Sequence, residues 1–138
     1  DSPMTPPSSL AIVHDYQHTR FFLTVYYALA VVWGARHIFY DQFSILDFLV
    51  PLSLTLCLGW WAIADARRRR TPIPLLAQAW FVLFAGLVVP GYVIWSRRWV
   101  GVGWIVTHAV MWYVLATICM HLGGMMIYGQ AWLRGLGL

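Results

Sequence analysis

Residues 45–70 read ILDFLVPLSLTLCLGWWAIADARRRR. From position 45 to position 64 the run carries no charge except Asp47 near its start and is apolar apart from Ser53 and Thr55, and it ends on Asp65 and four consecutive arginines, Arg67, Arg68, Arg69 and Arg70. A hydrocarbon core about 30 Å thick is crossed by about 20 predominantly apolar helical residues. The run has that length, and cations suit both its helix C-terminus and the membrane surface beyond it. Ser44 and Asp47 stand as S-x-x-D at its start, the spacing at which a side chain at N3 reaches back to the N-cap amide.

The whole chain shares this character. Of its 138 residues 61% are hydrophobic and 10% charged, and the mean hydropathy is +0.69. A soluble domain carries about 25% charged residues, so most of this surface does not face water. The apolar content also excludes disorder. The charges are nine arginines and five aspartates, with a net of +4 and neither lysine nor glutamate. The arginines flank apolar runs and act as topology markers, which argues against nucleic acid and for anionic lipid as the acidic partner. Cys57 and Cys119 both fall inside apolar runs, the pattern of reduced packing residues rather than of a disulfide framework. The opening DSPMTPPSS lacks the basic and apolar regions of a secretory signal.

Three further apolar stretches meet spanning length: residues 21–40, 75–95 and 101–128. The breaks between the four are short, so sequential antiparallel neighbours are expected. The sequence therefore predicts an all-α polytopic membrane protein. Residues 1–20 form a tail and a short interfacial helix, and residues 21–138 a bundle of four transmembrane helices. Pro90-Gly91 predicts a kink in the third span rather than a stop. If the loop of Arg67 to Arg70 is cytoplasmic, four spans put both termini on that side with Arg20 and Arg134. Arg36, Arg97 and Arg98 then lie outside. The expected topology is N-in, C-in, in a bacterial inner membrane.

Ionisable residues inside membrane helices are the first candidates for chemistry. Arg36, His37 and Asp47 fall at one depth on the first hairpin. They read as a structural ion pair, with a proton or anion site as the functional alternative. His37 and His108 are assigned equal depths on different helices, the geometry of b-type haem ligation; a single histidine can hold a chlorophyll-type pigment. The simpler alternative is hydrogen bonding within the bundle. His121 lies 13 residues after His108, about 20 Å along a helix, too far to share one haem. His14 and His18 share a helix face, but no third ligand is placed near them. Ala30 and Gly34 form a small-xxx-small pair suited to close helix contact. No nucleophile elbow, phosphate loop or CxxC occurs, and no aspartate sits at mid-membrane.

Pro74, Pro90, Tyr92, Ser96, Arg97, Trp99 and Gly101, followed by His108, resemble a pattern in uncharacterised small four-helix inner-membrane proteins of bacteria. The pattern is a proline-led helix, a P-x-Y step and an arginine–tryptophan–glycine hairpin. It covers about a quarter of the chain, and the resemblance implies a fold and a location but no activity. The expected function is a non-catalytic accessory subunit of a larger energy-transducing complex, photosynthetic or respiratory, with other membrane subunits and lipids as partners. The alternatives are a tetrapyrrole-binding protein using His37 and His108, and a small transporter or channel.

Overall fold

The computed structural model describes residues 9–39, 42–71, 73–135 and 137, with side chains from Gln17 onward. Among them are six helices and no strand: α1 (Ser9–Phe39), α2 (Leu46–Arg68), α3 (Leu75–Leu83), α4 (Ala85–Arg97), α5 (Trp99–Tyr128) and α6 (Gln130–Gly135). α1, α2 and α5 each contain a stretch long and apolar enough to cross a membrane. α1 runs unbroken through Arg20 for 31 residues, so the separate interfacial helix expected before position 21 is continuous with the first span. The tail before Ser9 lies outside the described residues.

α2 is the central helix. It buries Val50, Cys57, Trp61, Ala62, Ile63 and Ala66 and packs against α1, α3 and α4. Its start is capped as the S-x-x-D spacing predicts, with the Ser44 amide donating to Asp47 Oδ2 at 2.8 Å. Its end is closed by the Thr71 amide donating to the Ala66 carbonyl at 3.1 Å. Arg70 there holds a φ of 60°, the left-handed position at which helices usually place glycine.

Side-chain contacts fix the helix directions. Along α1 and α2 the pairs are Phe22 with Cys57 and Arg36 with Asp47, so these helices are antiparallel. Along α1 and α5 the pairs are Tyr27 with His108 and Ile38 with Tyr128, so these two run parallel. Gly34 lets α1 and α5 meet: a β-carbon there would stand 2.4 Å from the Ala116 carbonyl oxygen. The small-residue face of α1 is thus used inside the chain.

Residues 75–97 depart from expectation. Their bend is not at Pro90. Pro90 lies inside α4, and the chain turns instead at Phe84, where α3 and α4 meet at 117°. At nine and 13 residues, the arms measure only about 14 and 20 Å. Gly59 admits the tip of α3, since a β-carbon there would lie 2.6 Å from the Phe81 carbonyl oxygen. α4 then returns to the end of α2 from which α3 left, and Arg97 meets Asp65 at 3.1 Å. Arg97 and Arg98 were expected at the opposite end from Arg67 to Arg70, and that expectation is corrected. α5 starts beside Arg97 and finishes beside Ile38, at the far end of α1. The reason is electrostatic: folding back brings Arg97 and the Tyr92 hydroxyl to a carboxylate with no exposure to solvent.

Candidate functional site

The site is built at the Asp65 end of the bundle. Asp65 projects from the last turns of α2 and is fully buried. Arg68 Nη2 donates to its Oδ1 at 3.0 Å and Arg69 Nε to its Oδ2 at 2.9 Å. These are the i,i+3 and i,i+4 neighbours that a helix places on one face. From α4, Arg97 Nη2 donates to Oδ1 at 3.1 Å and the Tyr92 hydroxyl to Oδ2 at 3.2 Å. Each carboxylate oxygen therefore accepts two hydrogen bonds, which offsets the cost of burying the charge. Three guanidiniums share one carboxylate, so the cluster keeps an excess of positive charge.

Aromatic rings lie beneath it. Trp61 and Trp104 stack with centroids 4.7 Å apart, and the Arg97 guanidinium carbon stands 4.7 Å from the Trp104 ring and 5.5 Å from the Trp61 ring. Trp61 is 2% exposed, so this cation–π contact is drier than most and correspondingly stronger. Arg97 thus ties the carboxylate above to the core cluster of Trp61, Ala62, Ala85, Val89 and Val93 below.

Deeper still, α1, α2, α4 and α5 line a partly open cavity of about 210 Å³. Its wall is apolar apart from Tyr26, Cys57 and His108. The Cys57 thiol donates to the Phe22 carbonyl at 3.1 Å, and Cys57 and Cys119 are both free thiols. His108 Nδ1 is hydrogen-bonded to the Tyr27 hydroxyl, and its ring lies 4.1 Å from that of Trp104. The cavity is smaller than the roughly 300–1,000 Å³ of drug-sized ligand pockets.

The structure does not bring His37 and His108 together. His108 sits at the level of Tyr27, ten residues before His37 on a parallel helix, a separation of about 15 Å along the axis. The two histidines line different cavities. The equal depth assigned to them assumed a last helix antiparallel to the first, so this pair does not fit the two faces of one haem. His37 Nδ1 is instead bonded to the Trp33 carbonyl at 2.8 Å.

Arg36, His37 and Asp47 do fall at one end of the first hairpin, and the carboxylate partner is Arg36. Arg36 Nη2 reaches Asp47 Oδ2 at 2.5 Å and the Gln42 carbonyl at 3.0 Å. This pair closes the α1–α2 connection. The side chain of His14 lies outside the described residues, and no group of three metal-ligating side chains occurs among the described ones.

In the sequence Asp65 marks the end of the apolar run. The i,i+3 and i,i+4 arginines were visible as a signal that it is ion-paired. The contribution of Tyr92 and Arg97 was not, because no local pattern encodes contacts 27 and 32 residues away. No protein-family model, curated protein or solved structure matches this chain.

Proposed function

We propose that this protein is a non-catalytic accessory subunit of a larger membrane assembly. It crosses the bilayer three times, through α1, α2 and α5, and dips the α3–α4 pair part-way in from the arginine-rich side. What carries the reading is how little of α3 and α5 the chain covers. None of the nine residues of α3 is buried, and of the 30 in α5 only Gly101, Ala116 and Gly124 are. Such faces suit lipid and neighbouring helices, and helices associate in lipid by close packing. The energy-transducing host rests on composition alone, since such assemblies use small hydrophobic subunits as packing.

Arginine distribution supports the crossing number. With a hairpin that folds back, Arg20, Arg67 to Arg70, Arg97 and Arg98 gather at one end, against Arg36 and Arg134 at the other. That asymmetry is stronger than a fourth span would give, and it supports a cytoplasmic Asp65 end, N-in and C-out, for a protein of a bacterial inner membrane.

Gentle solubilisation of native membranes followed by native electrophoresis tests the subunit reading. The protein should migrate with larger partners. A monomer or self-dimer carrying a stoichiometric visible chromophore that His108→Ala removes would favour a pigment protein instead. The folded-back α3–α4 pair favours a small channel or transporter as a second reading, since re-entrant segments commonly line such pathways. Solute flux into liposomes containing the purified chain decides it.

A further inference from the structure

We infer that the open side of the α3–α4 hairpin is a seat for one anionic phospholipid, with an acyl chain between the two arms and the headgroup on the arginine loop. Two features point to this occupant. The first is a groove of about 480 Å³ between the arms, walled by Ile73, Ala77, Phe81, Val88, Gly91 and Trp95. It is apolar along its length and begins at Thr71, directly after the four arginines. The second is charge. Arg67 and Arg70 are exposed, and Arg68 and Arg69, though bonded to Asp65, each keep 34% of the side chain open. Asp65 neutralises one of these charges and is itself buried, so the mouth of the groove is strongly cationic.

The two features are joined through one residue. Tyr92 forms part of the groove wall, and its hydroxyl donates to Asp65. The hydrocarbon seat and the guanidinium cluster are therefore held in fixed register by the same helix. A phosphodiester carries the charge and the acceptor oxygens that guanidiniums recognise, and basic pockets on the cytoplasmic side of membrane helices bind such headgroups. A zwitterionic lipid of the same chain length fills the groove equally well but gains less from the arginines. The inference does not depend on protein partners: a lipid can occupy this seat on the isolated chain.

Gly91 supplies the discriminating variant. It lies in α4 on the groove, and a β-carbon there would meet nothing within 4 Å. Gly91→Leu therefore fills the seat without colliding with the fold, and it replaces glycine inside a helix, which favours the helix. Arg70→Gly removes one mouth charge at a position whose φ of 60° suits glycine best. Gly103→Leu, on α5 with equally open surroundings and away from the groove, is the control.

The experiment is native mass spectrometry of the purified full chain titrated with phosphatidylglycerol and phosphatidylcholine of identical acyl chains, with thermal unfolding of every variant. Wild type and Gly103→Leu should retain one phosphatidylglycerol in preference to phosphatidylcholine. Arg70→Gly should weaken that retention about fivefold while unfolding at or above the wild-type temperature. Gly91→Leu should weaken both lipids about tenfold or more. Equal retention of the two lipids by wild type, or unchanged retention by Gly91→Leu, overturns the inference. So does a lipid-independent dimer that Gly91→Leu converts to a monomer, which would mean that a second copy fills the groove.

Discussion

Arg97 reaches across 32 positions of sequence to bond Asp65 at 3.1 Å, and that bond decides which end of the bundle the second half of the chain belongs to. Its neighbours make it hard to replace. The guanidinium lies over Trp61 and Trp104, and the carboxylate it meets is fully buried.

Removing the carboxylate should leave three arginines facing one another over an apolar core. Asp65→Ala is expected to cost about 3–5 kcal/mol, the range for breaking a buried ion pair from one side. Arg97→Met should cost less, because Arg68 and Arg69 remain on Asp65. The double variant should show a coupling of about 0.5–3 kcal/mol in a thermal or denaturant cycle in detergent. Purely additive losses would mean that the two residues act independently.

The folded-back hairpin predicts a labelling pattern. With Cys57 and Cys119 replaced by alanine, Thr71→Cys and Arg98→Cys should react with a membrane-impermeant maleimide from the same face. Gly137→Cys should react from the other. Labelling of positions 71 and 98 from opposite faces would restore a fourth crossing.

Gly34 controls the approach of α1 to α5. A β-carbon there would lie 2.4 Å from the Ala116 carbonyl oxygen and 2.9 Å from the Cys119 β-carbon. Because backbone cannot yield as a flexible side chain does, Gly34→Leu should destabilise the protein by about 1–3 kcal/mol or more. Gly86→Leu, whose surroundings are open, should not. Equal unfolding temperatures for the two variants would remove the close-approach argument.

Tyr27 and His108 link the same two helices by a hydrogen bond. Tyr27→Phe should cost about 1 kcal/mol, with little further loss when His108→Phe is added to it. Hydrogen exchange around residues 105–111, measured by mass spectrometry, should quicken in the single variant. Unchanged exchange and stability would show that the bond contributes nothing in the membrane.

At the other end, Asp47 accepts from both Arg36 and the Ser44 amide. Asp47→Asn should lower the unfolding temperature and speed exchange in residues 42–48, where the cap and the ion pair both hold the turn. Loss of an activity with assembly and exchange unchanged would point instead to a proton or anion site.

The sequence by itself determined whatever depends on local composition and spacing. It specified helices, runs long and apolar enough to cross a membrane, the end of the 45–64 run at Arg67 to Arg70, and the Ser44–Asp47 cap. Each of these follows from a run length, a period or a helical offset of three or four residues. It did not determine direction. Residues 75–95 are apolar enough for a span, and hydropathy reads the same whether such a run continues across the bilayer or doubles back at Phe84. The turn at Phe84 brings Tyr92 and Arg97 back to Asp65, where they complete the shell that Arg68 and Arg69 begin around its buried carboxylate. Once α4 has returned, α5 must start at the same end and run parallel to α1. His108 then falls beside Tyr27 and far from His37. Burial of a charge is a tertiary quantity, set by which distant groups close around it, and no window of sequence contains it.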